Sequence, residues 1–236
     1  ATLSPSMSPN MIPEPINLEP ILSYAETHNY LSCPRSLILI MMELWRIPGF
    51  NDRSHRGADC NTTQEQVGIL LQRTLAFDPY AWYCGIQSTG LNECVEQRTH
   101  IACAHRSAVC IYLAQVLPAT SPLINPESDT ALISLTDVAN DVLFHISLLI
   151  ACTDSLFTSI CWPLFLAGTE LKHDSQREWI INKLDELYNI MAWGYIRTSK
   201  RVLEDIWRYK YYIDSKTYNS GLVEEMGRRK NEIIVA

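Results

Sequence analysis

The sequence predicts an all-α protein, a bundle of roughly eight to ten helices with short connections. Three observations point to it. Apolar residues recur at three- and four-residue steps along most of the chain, the period of a helix that buries one side. Alternation of Val, Ile and Thr with polar residues, which marks half-buried strands, never lasts more than a few positions. Only nine glycines occur in 236 residues, and prolines with polar clusters separate the periodic stretches as stops.

Residues 1–15, with Ser4-Pro5, Ser8-Pro9, Pro13 and Pro15, read as a flexible Pro/Ser-rich leader, and 16–236 as a single helical domain. A first helix covers 18–30. A second starts at Pro34, a good first-turn residue, and stops before Pro48-Gly49. Polar residues 51–61 read as a loop. Thr63, with Gln66 three positions on, reads as the N-cap of a helix to Phe77. Asp78-Pro79 turns the chain into a short helix bearing Trp82 and Tyr83. The next long helix spans 95–117, with Ile101, Ala104, Ala108, Ile111, Tyr112 and Gln115 on one side. After a connection at 118–129, Thr136 or Asp137 caps a helix reaching 150 or 151. A further helix occupies 155–171, and Asp174-Ser175 caps the next. Gly194 marks a break before a last helix to Tyr211.

One phrase stands apart, Cys161-Trp162-Pro163-Leu164-Phe165-Leu166-Ala167-Gly168-Thr169-Glu170. Proline deletes a backbone hydrogen bond and glycine weakens a turn, so an apolar helix holding both reads as kinked and closely approached. The close neighbour is either another backbone or a ligand.

Composition bounds the function. A hydrophobic share of 47% with 19% charged residues describes a globular chain. A net charge of -7 and only two short basic clusters, Lys200-Arg201 and Arg228-Arg229-Lys230, argue against direct contact with nucleic acid. The longest apolar runs, 36–42 and 142–152, fall short of the roughly 20 residues a bilayer span needs. The N-terminus has no basic segment followed by an apolar one, so no secretory signal is expected and the chain is placed inside the cell, in nucleus or cytoplasm. Eight cysteines contain no C-x2-C pair; they read as free thiols in a reduced compartment, several of them core residues, and not as zinc ligands.

The segments Leu70-Leu71-Gln72-Arg73 through Phe77-Asp78-Pro79 and Trp82, Ser107 with Cys110-Ile111-Tyr112-Leu113, Asp154 leading to Trp162-Pro163-Leu164-Phe165-Leu166-Ala167-Gly168, Arg177 with Trp179, and later Trp193 and Trp207 occur in one order. Together, over about residues 64–211, they resemble the C-terminal regulatory domain of fungal-specific zinc-cluster transcription factors. The resemblance implies an all-helical regulatory module. In sterol-uptake-control regulators of that kind it holds a lipid in an apolar pocket between helices. The DNA-binding part of such factors is a binuclear zinc cluster of six cysteines, which is missing here. The chain therefore reads as the regulatory half of a longer factor or as a stand-alone relative.

No G-x-S-x-G, H-E-x-x-H, P-loop or G-x-G-x-x-G occurs. His100 and His105 are five apart and do not share a helical face, so neither metal nor cofactor is expected. Asp137, Asp141 and His145 align at steps of four: a polar strip on a cavity, an acid/base pair, or a solvated face. Glu170, after Gly168 in an apolar run, reads as a buried proton donor or a hydrogen-bonded structural acid, with Arg177 as its prospective partner. Asp154 reads as a helix cap.

Trp82, Tyr83, Trp162, Phe165 and Trp193 fall where breaks, prolines or glycines interrupt the helices, and interrupted helices leave concave space. With His145 they form the candidate ligand-binding set for a small hydrophobic molecule, sterol, terpenoid or polyketide-like. A second copy of the chain is a further candidate partner. Two other readings stand beside the sensor. One is a stand-alone enzyme of fungal secondary metabolism, of cyclase, pericyclase or isomerase type, with Glu170, His145 and Asp141 as catalytic candidates. The other is a purely structural interaction module.

Overall fold

The computed structural model describes residues 17–27, 31–47, 60–86, 95–118, 120–125, 127–150 and 157–215. The expected leader at 1–15, the cap at Asp154 and the chain beyond 215 lie outside them. Among the described residues the protein is all-α. Nine helices follow in order: α1 (Leu18–Thr27), α2 (Arg35–Arg46), α3 (Cys60–Leu75), α4 (Pro79–Ile86), α5 (Val95–Ala114), α6 (Leu135–Ser147), α7 (Cys161–Glu170), α8 (Asp174–Ile190) and α9 (Gly194–Ser215). A 3-10 turn, Phe157–Ile160, leads directly into α7.

Helix α5 is the axis of the bundle. It packs against α2, α3, α4, α6 and α7, most extensively against α6. The expected one-sided stripe is too narrow, because α5 is buried nearly all round, with Ala102, Cys103, Val109 and Leu113 enclosed alongside Ile101, Ala108 and Ile111. A helix with small residues at Ala102, Ala104 and Ala108 lets its neighbours approach on every side. Ala139, Val142 and Ile146 of α6 and Leu164, Phe165 and Leu166 of α7 close the core around it. Burying each large apolar side chain contributes about 1.5–3 kcal/mol relative to leaving it exposed.

The termini of the helices follow side-chain chemistry, with some corrections to the expected caps. Asp78 Oδ1 accepts from the backbone N of Tyr80 at 2.9 Å and of Ala81 at 3.1 Å, which starts α4 at Pro79. Ser134, not Thr136 or Asp137, caps α6, its hydroxyl accepting from Asp137 N at 3.3 Å. Thr63 lies inside α3, which begins at Cys60. The cap position of α8 is His173, with no side-chain cap bond, and Asp174 is an acid of the first turn. There it still favours the positive end of the helix dipole.

Pro163 is the third residue of α7, so the proline falls in the first turn, where the missing N–H has no intrahelical acceptor to lose. No kink is required. Gly168 is closely approached, and the neighbour is a side chain: a Cβ at this position would stand 2.8 Å from Leu203 Cδ2, 3.0 Å from Leu203 Cδ1 and 3.4 Å from Ile180 Cδ1. The glycine lets α9 and α8 seat against α7.

Candidate functional site

The aromatic candidates separate into distinct places. At the junction of α2, α5 and α7, the Trp162 ring is tilted against Tyr112 and stacked on His105, with centroids 6.2 Å away in each case. Trp45 Nε1 donates to the Tyr112 hydroxyl at 2.7 Å, so three helices contribute to one aromatic cluster. Trp162 is half-buried whereas Tyr112 and His105 are buried.

His105 is chemically well defined. Its Nδ1 lies 2.9 Å from the carbonyl of Ile101. Burial pushes the imidazole down to about 4, the Ile101 bond opposing and the buried Arg98 guanidinium reinforcing that shift. The ring is therefore neutral at pH 7, with the proton on Nδ1 and Nε2 left as an acceptor. Just past the C-terminal end of α5, Gln115 Nε2 donates to Thr169 Oγ1 near the end of α7 at 3.3 Å. Among the described residues, Gln115 Oε1 is buried without a hydrogen-bond partner. The α5–α7 seam thus has aromatic faces at one end and a buried, unpartnered amide oxygen at the other.

Trp82 and Tyr83 belong to another place. Trp82 Nε1 donates to Glu26 Oε1 at 2.8 Å, and the same oxygen accepts from Arg35 N at 2.7 Å. The Trp82 ring is tilted against both Phe77 and the buried Tyr83, with ring centroids 6.3 and 6.5 Å away. This cluster ties α1, α2 and α4 together. Phe165 is fully enclosed in the core and Trp193 is 48% exposed beside Tyr195. The six candidate ligand residues do not converge on one point.

Of the acid/base candidates, the structure brings together Asp141 and His145, with Oδ1 and Nε2 3.5 Å apart, and leaves Asp137 exposed in the first turn of α6. Sequence reasoning missed their partners on α5. His145 Nδ1 lies 2.9 Å from His100 Nδ1, and Ser107 Oγ donates to Asp141 Oδ2 at 2.5 Å. His100 was visible only as one half of a rejected metal spacing, because its true partner lies 45 residues away. Glu170, half-buried at the end of α7, sits 2.9 Å from the Thr169 hydroxyl. Arg177 donates to the Leu171 carbonyl at 3.2 Å and to Asp174 at 3.3 Å, and its guanidinium lies 5.4 Å from the Trp207 ring centroid.

Groups of three or more His, Cys, Asp or Glu suited to a metal ion are absent among the described residues. Cys33, Cys103, Cys110 and Cys161 are free thiols whose ionisation burial opposes. No helix among the described residues is long and apolar enough to cross a membrane.

Residues 4–211 match the model of the fungal specific transcription factor domain. The chain belongs to this family. A curated relative, the acriflavine sensitivity control protein acr-2 of Neurospora crassa, is 27% identical over 222 residues, covering 87% of this chain and 34% of the relative. This fungal transcription-factor domain thus corresponds to about a third of that longer protein. No solved structure matches the chain.

Proposed function

We propose that this fungal transcription-factor domain is a regulatory module that binds a small hydrophobic molecule, sterol, terpenoid or polyketide-like, and works within the nucleus or cytoplasm. The observation that carries the reading is the α5–α7 seam. There a half-buried Trp162 lies on a neutral His105 and against Tyr112, with the unpartnered Gln115 Oε1 at the other end of the same seam. Aromatic faces give an apolar molecule area to cover, and a few inward acceptors orient one hydroxyl or N–H donor on it. Family membership supports the regulatory role, and the net charge of -7 supports leaving DNA contact to another part of the factor.

Binding energy at such a seam acts as regulation when the ligand fits one packing of α5 against α7 better than another, since a ligand shifts an equilibrium only by its differential affinity. The test is native mass spectrometry of the domain produced in a filamentous fungus, followed by organic extraction. One hydrophobic metabolite, recovered unchanged after incubation, is the expected result. Release of a rearranged isomer would instead make the domain an enzyme. A domain that emerges empty and takes up no member of a sterol, terpenoid and polyketide panel would sink the reading.

A further inference from the structure

The seam between α5 and α6 holds a connected set of polar groups that the aromatic cluster does not use. Ser107 Oγ donates to Asp141 Oδ2 at 2.5 Å, Asp141 Oδ1 lies 3.5 Å from His145 Nε2, and His145 Nδ1 lies 2.9 Å from His100 Nδ1. Asp141, as a carboxylate, only accepts, so the neutral His145 tautomer it favours carries its proton on Nε2. His145 Nδ1 is then an acceptor, and His100 Nδ1 must be the donor. The hydrogen bond between the rings therefore runs from His100 to His145, while the His145 Nε2 edge faces Asp141 across a 3.5 Å charge contact.

That direction sets how many protons the pair tolerates. A first added proton goes to the other nitrogen of His100, Nε2, and leaves the contact between the rings intact. A second has only His145 Nδ1 left, and two N–H groups would then face each other across 2.9 Å. Two imidazolium charges would also stand near Arg106, which with burial and His100 already opposes protonation of His145 against the attraction of Asp141. We propose that His100 and His145 form a pH-sensitive latch between α5 and α6, closed while one proton lies between their Nδ1 atoms and released when both rings are cationic.

Neighbouring elements define its surroundings. On α5, Gln97 holds the segment just after α6, its Oε1 accepting from Ile150 N at 3.0 Å. On α6, the Phe144 ring meets His145 edge-on with centroids 5.2 Å apart. Asp78, before α4, acts with Asp141 on the thiol of Cys103, and α7 carries only Cys161 and Glu170 as titratable residues. Asp141 is the carboxylate in contact with His145, and it stabilises a single charge better than two. The latch contributes stability above the ordinary histidine range and loses it as pH falls below that range, because the open form binds more protons.

Two measurements on the 236-residue chain test this. The first follows imidazole nitrogens by NMR from about pH 8 to 4. A His145 titration that moves when His100 is replaced in H100Q is expected; a His145 titration identical in the parent and in H100Q would overturn the latch. The second compares hydrogen exchange of α6 amides at about pH 7.5 and 5.5, corrected for intrinsic chemistry. Loss of protection by about tenfold is expected in H105Q, which lacks the His105 contribution, and a flat response in the double variant H105Q/H145Q. A flat H105Q, or a double variant that responds as H105Q does, refutes it. Neither readout involves a ligand, so failure here is separable from failure of the proposed binding function.

Discussion

The indole Nε1 of Trp207 donates to the backbone carbonyl of Gly168 across 2.8 Å, although the two residues are 39 positions apart. In a helix the carbonyl of Gly168, near the C-terminus of α7, has lost its intrahelical donor. A tryptophan from α9 supplies one. The same glycine accepts the methyl groups of Leu203 from one turn earlier on α9, so a single position both caps α7 and seats α9.

Gly168→Ala is therefore expected to destabilise the domain by about 1–3 kcal/mol, because the added methyl overlaps Leu203, itself fully buried and short of room to rotate. Urea unfolding monitored by far-UV circular dichroism measures this. If Gly168→Ala is as stable as the parent, the packing described at this position is wrong.

Acid should weaken the fold through His105. Its folded value near 4 lies below the ordinary 6.5, so the unfolded chain binds the proton more readily. The stabilisation is complete above about pH 6.5 and is lost as pH falls toward 4, amounting to about 3 kcal/mol if His105 remains enclosed. Unfolding free energies at about pH 7 and 4.5, compared between the parent and His105→Gln, give the measurement, with a shallower pH slope expected for the variant. An unchanged slope would remove His105 as the cause.

Trp162 and Trp45 offer a contrast within one aromatic cluster. Trp162 presents its ring to both His105 and Tyr112, whereas Trp45 acts through its bond to the Tyr112 hydroxyl. Trp162→Ala is expected to lower affinity for a hydrophobic ligand by about tenfold or more, since it removes a ring face and the area it offers, and Trp45→Ala by less. Titration followed by intrinsic fluorescence or calorimetry decides the order. Equal effects would place the ligand elsewhere.

Much of the helical plan was legible because periodicity and stop signals are local. Pro34, Asp78-Pro79 and Gly194 each stand at or beside the start of an observed helix. The caps were less legible. Ser134, Thr136 and Asp137 are all competent side chains within one turn, and the choice of Ser134 depends on where the preceding connection delivers the backbone. The aromatic set was readable as residue types but not as a group. Phe165 and Trp193 share the same broken-helix context as Trp162, yet one is enclosed in the core and the other is exposed.

By itself the sequence determined the helical class, the order of the helices and the family, because these rest on spacing along the chain. It also determined that Gly168 has a close neighbour, since a glycine in an apolar helix leaves room for one. Only the tertiary structure decided that this neighbour is Leu203, that His100 faces His145, and that Trp45 and Trp162 meet at Tyr112. Each of those pairs joins residues from different helices. Their meeting is set by the angle and depth at which the helices pack, which depends on all the side chains of the core at once.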